Sequence, residues 1–227
     1  MADQNKGMSD LWRRLRFVFL AIVIYRMGTH IPIPGIDPAR LAALFDQNQG
    51  TILEMFNIFS GGALERMSIF ALNVIPYISA AIIMQLFSNS IPYLQELKKD
   101  GQAGRNQITQ YTRYGTVVLA FVQASALAVT LGASGLAYEP GTSFFISAVF
   151  SVVAGTIFLM WLGEQISERG IGNGISIIIA TSILTGIPGA IGQALEQARQ
   201  GDLNILLLLG IGVLAMLIIA IVVFIER

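Results

Sequence analysis

Two short patterns in this sequence hold residue types that can do chemistry. The first is Gly132-Ala133-Ser134-Gly135, the Gly-x-Ser-Gly form of an intramembrane serine nucleophile. A serine hydroxyl needs a base within hydrogen-bond reach before it can attack a carbonyl. The sole histidine, His30, lies near the end of an apolar run and near the same face as Ser134, so the pairing is open. The same four residues also read as a small-residue turn closing a span. The second pattern is Gly170-Ile171-Gly172-Asn173-Gly174. A phosphate-cradling glycine loop needs a strand before it in a βαβ unit. This one follows GEQISERG between two apolar runs, and reads as a tight turn between helices. There is no HExxH, no P-loop and no carboxylate pair inside the apolar runs. With no cysteine, neither a disulfide nor a thiolate metal site can form. No metal and no cofactor is implied, and the expectation is a protein that is not an enzyme.

The elements that position these residues are apolar. Of 227 residues, 54% are hydrophobic and 12% charged, about half the charge of a soluble domain. Net charge is zero and the basic residues form no long run, which gives nucleic-acid binding no support. A bilayer-spanning helix needs roughly 20 apolar residues. Six runs qualify: Phe17 to Ile36, Val74 to Ile91, Tyr114 to Leu136, Ser143 to Gly163, Ile171 to Ile191 and Leu203 to Ile225. Several are rich in Ile and Val. In lipid, however, each segment must satisfy its own backbone, so helix is expected over strand. The first run lacks a small-residue cleavage site and reads as a retained span. The last ends at IVVFIER, two charges flush against a span, so the chain is expected to continue past Arg227.

Basic residues set orientation. With the N-terminus cytoplasmic, Lys6, Arg13, Arg14, Arg16, Lys98, Lys99, Arg105, Arg113, Arg169 and Arg227 lie inside; Arg26, Arg40, Arg66 and Arg199 lie outside. The loop IPYLQELKKDGQAGRNQITQYTRY is then cytoplasmic. It reads as a solvated loop or as a contact surface for headgroups or a cytosolic partner. Pro32 and Pro34 disfavour helix and mark the outer exit of the first span. Arg26, one helical turn before His30, can snorkel to that interface.

The segment FNIFSGGALERMSIFALNVIP, residues 56 to 76, is too apolar for a surface loop. It is also too interrupted for a lipid-facing span. Phe56, Phe59, Ala63, Met67 and Phe70 recur at helical spacing, broken by Glu54, Asn57, Ser60 and Glu65. Pro76 fits the first turn of a helix starting near Asn73. Polar backbone at membrane depth is tolerated only inside protein or beside a water-filled cavity. The residues fit a helix re-entering a cavity and an amphipathic helix on the outer leaflet equally well. In the next span, Val74, Ile78 and Ile82 share a face, beside polar Ser79, Gln85, Ser88 and Asn89. The aliphatic face reads as ordinary packing or as a hydrophobic constriction.

Four stretches, IPIPGID, EMFNIFSGGALERMSIFALNVIPYISAAIIMQL, GRNQITQYTRYG and FLMWLGEQISERGIGNGISIII, together resemble the SecY family of protein-conducting channels in its bacterial form. The resemblance implies an all-α polytopic membrane protein of about six spans with a re-entrant plug helix. Members have ten spans in two inverted halves. Residues 1–200 would be the N-terminal half, with the plug at about 51–72, and 201–227 the first span of the second half. The pore ring would take Val74, Ile78, Ile175 and Ile179; position 74 is Val where relatives often have Ile. The plug would include Phe59, Ser60, Gly61, Gly62, Glu65 and Arg66, with packing modest enough to release it. The lateral gate would include Ser79, Ile82 and Gln85, and cytoplasmic contacts Lys98, Lys99, Arg105 and Arg113. Implied partners are the SecE and SecG subunits, the SecA ATPase or a ribosome, polypeptides bearing signal sequences, and membrane lipids. The implied location is the bacterial plasma (inner) membrane. A secondary transporter or ion channel is the other class of reading. It would want carboxylates inside the spans.

Overall fold

A computed structural model describes residues 2–47, 57, 60–200 and 205–226. It is all-α, and the six apolar runs each fall on a helix. Helix α1 is Ala2–Gly28, α2 Pro38–Gln47, α3 Ile75–Ser90, α4 Pro92–Lys99, α5 Gly101–Ala133, α6 Thr142–Arg169, α7 Gly174–Gln200 and α8 Ile205–Glu226. Among the described residues, α5 and α6 are each long and apolar enough to cross a membrane. Two compact units result, Met1–Ile183 and Leu184–Arg227. The second contains the remainder of α7, with Pro188 inside it, and the uniformly apolar α8.

Three boundaries differ from expectation, each for a local reason. The first helix stops at Gly28 rather than Ile36, because Pro32 and Pro34 hold the following residues extended. The stretch expected as a cytoplasmic loop is largely helical. Ile91, preceding Pro92, takes an extended conformation (φ −95°, ψ 119°) and separates α3 from α4. Gly101 at φ +69° separates α4 from α5. Helix α3 has 16 residues. At 1.5 Å per residue it is roughly 24 Å long, short of a ~30 Å hydrocarbon core.

The residues before α3 are not the regular amphipathic helix expected. Residues 61–74 form successive turns closed by backbone bonds such as Ser68 N–H to Ala63 O (2.8 Å) and Asn73 N–H to Phe70 O (2.8 Å). Met67 (φ +40°) and Asn73 (φ +49°) are left-handed, which a continuing helix cannot contain.

The proline-rich strap after α1 pairs on both edges. Ile33 N–H donates to Met67 O (2.8 Å) and Ile69 N–H to Ile31 O (3.0 Å). On the other edge, Asp37 N–H donates to Leu136 O (2.9 Å) and Tyr138 N–H to Gly35 O (3.0 Å). The strap thus ties the turn segment to the α5–α6 connection. Beneath it lies one apolar cluster that includes Ile33, Leu41, Met67, Leu131 and Phe144. A second cluster gathers α1, α3, α6 and α7 around Tyr25, Phe70, Val74, Leu159, Ile166 and Ile178.

Candidate functional site

Val74, Ile78, Ile175 and Ile179, drawn from two separate helices and their caps, meet in the second apolar cluster. Val74 is buried; the three isoleucines are half-buried. Those same isoleucines line a cavity of about 630 Å³ with Tyr77, Ile82, Gln85, Arg113, Glu164 and Asn173. The cavity wall is therefore aliphatic toward the cluster and polar toward the end where α5 and α6 carry charge.

Local chemistry explains the placement of each wall. Val74 caps α3, and Pro76 in the first turn has no N–H to leave unpaired. Asn73, left-handed and buried, turns the chain sharply into that cap. At the other wall, Asn173 Oδ1 accepts the Ser176 N–H (3.2 Å) and caps α7. Ser167 Oγ accepts the Gly174 N–H at 2.8 Å. A Cβ on Gly174 would strike the Gly163 carbonyl, and one on Gly163 the Ile175 side chain. Glycine at 174 lets α6 and α7 approach closely, and glycine at 163 leaves room for the Ile175 side chain at the cavity. The GIGNG pattern is thus a helix–helix turn, as expected.

Arg113 Nε donates to Glu164 Oε1 at 2.7 Å, linking α5 to α6 across the polar side of the cavity. It is therefore held on a helix at the cavity wall rather than presented on a loop. Lys98 reaches Asn89 Oδ1 at 3.2 Å, and Lys98, Lys99 and Arg105 are exposed. Of the expected gate residues, Ile82 and Gln85 are exposed and line the cavity; Ser79 is half-buried and lies outside its lining.

The turn segment is seated deeply. Ser60, Gly61, Ala63, Met67, Ser68, Phe70 and Ala71 are all buried, against the expectation of modest packing. Phe70 stacks between Tyr25 and Phe158, with centroids 6.0 and 5.9 Å away. Gly28 and Gly155 make room for it: a Cβ at Gly28 would enter the Phe70 ring, and one at Gly155 the Ile69 carbonyl. Glu65 and Arg66 stay exposed. Glu65 Oε2 accepts from Asn57 Nδ2 (2.9 Å), and Arg66 Nη1 lies 3.1 Å from His30 Nε2. Gly62, at φ +79°, supplies a turn that a side chain would strain. Phe59 lies outside the described residues.

His30 Nδ1 faces the Arg26 carbonyl at 2.8 Å. The two ring nitrogens are thus engaged by Arg26 and Arg66, and among the described residues no hydrogen bond joins His30 to Ser134. That serine ends α5, where Leu136 N–H bonds Leu131 O (3.2 Å) and Gly135 sits at φ +67°. This is a glycine-terminated helix end, the turn reading of GASG.

Sequence reasoning missed a buried polar junction. Tyr25 Oη is 2.6 Å from Ser182 Oγ and donates to Ser60 O (3.2 Å); Asn73 Nδ2 donates to Ser182 Oγ (3.2 Å). Arg26, which can snorkel to the outer interface, donates from Nη1 to Gly61 O at 2.9 Å. The available signal was polar residues inside two apolar helices, Tyr25 and Arg26 in one and Thr181 and Ser182 in the other, since such residues usually face a bundle interior.

The chain resembles known proteins in both sequence and fold. A SecY family model matches residues 68–227. A protein translocase subunit SecY of Pseudomonas aeruginosa is 63% identical over 226 residues, covering 100% of this chain and 51% of that one. The subunits of the same name from Vibrio cholerae and Escherichia coli K12 are 58% and 57% identical over 225 residues. They cover 98% and 97% of this chain and 51% of each relative. The chain thus spans about half the length of these curated relatives. Among solved structures, it is similar to a protein-conducting channel and to Sec61 in the canine ribosome–channel complex from the endoplasmic reticulum. Each gives a TM-score of 0.60 at 21% identity, over 86% of this chain and 43% of the other. Those two likenesses are of fold. This is a membrane protein, and with a family model covering well over half of its residues, the chain belongs to the SecY family.

Proposed function

We propose that this chain supplies the first half of the pore through which unfolded polypeptides cross the bacterial plasma membrane. Hydrophobic spans would leave the same pore sideways into lipid. The observation that carries the reading is the meeting of Val74, Ile78, Ile175 and Ile179 beside a cavity with a polar far wall. Branched aliphatic side chains make a dry constriction that offers a passing chain no hydrogen bonds. Residues 60–72, the described part of a plug at about 51–72, lie above it, and Ser79, Ile82 and Gln85 are the near side of the gate. Residues 1–200 form one half of the channel and 201–227 begin the other. The N-terminus is cytoplasmic. Lys98, Lys99 and Arg105 face SecA or a ribosome, SecE clamps the halves, and SecG lies alongside. The work involves no bond chemistry, no cofactor and no direct contact with nucleic acid.

The test is a photo-crosslinker placed at Ile78 or Ile179 while a polypeptide bearing a signal sequence is stalled in transit. Capture at both, with none at Val118 on the exposed face of α5, is the expected result. Equal capture at Val118, or no capture at the isoleucines, would remove the pore reading.

A further inference from the structure

We propose that Tyr25, Asn73 and Ser182 form a polar latch that positions residues 60–72 in their seat and must open before the segment can leave it. The inference rests on the plug reading above and adds the residues that hold the plug shut.

Three elements converge at one hydroxyl. Ser182 Oγ, on α7, bonds Tyr25 Oη from α1 at 2.6 Å and accepts from Asn73 Nδ2 at 3.2 Å. Tyr25 also donates to the Ser60 carbonyl at 3.2 Å, and the neighbouring Arg26 to the Gly61 carbonyl at 2.9 Å. Two successive carbonyls at one end of the segment, and the Asn73 side chain at the other, are therefore gripped by the surrounding helices. Besides its own turn bonds, the segment's backbone is paired to the strap only around Met67 and Ile69 among the described residues, and the left-handed Met67 and Asn73 are conformations that a free chain rarely keeps. Tyr25, Asn73 and Ser182 are buried, at 1%, 2% and 0% exposure, against the apolar residues Val74 and Ile178. Hydrogen bonds in such surroundings are shielded from water, and breaking one leaves a polar group unsatisfied. The segment is therefore held by a few directional bonds rather than by apolar burial alone. Such bonds can break together when α7 or α1 shifts.

The experiment is amide hydrogen exchange of the assembled channel in lipid nanodiscs, parent against Tyr25→Phe, Ser182→Ala and Asn73→Gly. Phe keeps the ring stacked on Phe70, and Gly keeps the left-handed backbone. Each variant is expected to speed exchange across residues 61–73 by about 3- to 20-fold, the loss of a bond of ordinary strength. Residues 156–166 of α6 should be unchanged. The Tyr25→Phe/Ser182→Ala double variant should fall short of the product of the two singles, since they share a bond. Parent-like exchange in the single variants overturns the latch. Equal acceleration in α6 also overturns it, because the junction would then support the whole bundle. A stalled substrate separates this from failure of the plug reading. If substrate speeds exchange in 61–73 of the parent while the variants match the parent at rest, only the latch is wrong. If substrate leaves that exchange untouched, the plug reading is wrong.

Discussion

The backbone carbonyl of Gly163 occupies the place where a Cβ on Gly174 would stand. This contact between α6 and α7 fixes Ile175 at the cavity wall. Replacing Gly174 with Ala forces a methyl against the Gly163 backbone, and no rotamer change can relieve it. Gly174→Ala should destabilise the protein by about 1–3 kcal/mol, read as a lowered unfolding midpoint in detergent. An unchanged midpoint would show that the two helices separate freely.

Gly28 and Gly155 flank Phe70, but they are not equivalent. A methyl at Gly28 meets only the Phe70 ring, whereas one at Gly155 meets the Ile69 carbonyl as well. Gly155→Ala should therefore cost more than Gly28→Ala. Gly28→Ala should be partly rescued by Phe70→Leu, and Gly155→Ala should not. Thermal unfolding of the four variants decides this, and rescue of Gly155→Ala would contradict the packing described.

The Arg113–Glu164 pair is asymmetric in exposure: 43% for the arginine side chain and 17% for the glutamate. Removing the arginine strands a carboxylate that water reaches poorly. Arg113→Ala should cost about 1–2 kcal/mol, and Glu164→Gln, which keeps an acceptor, less than about 1. Chemical unfolding of both variants checks the order, and the reverse order would mean the pair contributes mainly through Arg113 packing.

Ile78 and Ile179 face the cavity. Ile78→Ser and Ile179→Ser should raise ion leak through the resting channel in planar bilayers, while Val118→Ser should not. Parent-like conductance in both isoleucine variants would remove the sealing role proposed for them.

What the sequence reveals depends on how local the cause is. The end of α5 at Gly135 and the turn before α7 follow from glycines and caps, whose effect reaches only a few residues. The six apolar runs follow from length and hydropathy. The grouping of Val74, Ile78, Ile175 and Ile179 came from family resemblance, because nothing local brings residues a hundred positions apart together. The path of residues 61–74 was misread as helical because Ala63, Met67 and Phe70 do recur at helical spacing. Their burial is satisfied instead by turns, with Gly28 and Gly155 supplying space from other helices. The extra helix at Pro92–Lys99 was hidden by its polarity: only Leu94 and Leu97 of its residues are buried. Tyr25 and Ser182 carry no local signal that pairs them, because their partners are set by tertiary structure.

The strap stitched to Met67 and Ile69 also sets a swing radius. While Ile33–Met67 and Ile31–Ile69 remain bonded, Met67 acts as a fixed pivot and the chain before it as a tether. A fully extended tether back to Ser60 reaches roughly 25 Å at about 3.5 Å per residue. Any excursion of Ser60 that spares those bonds stays within that sphere. A displacement measured beyond it would mean that the strap itself had come undone.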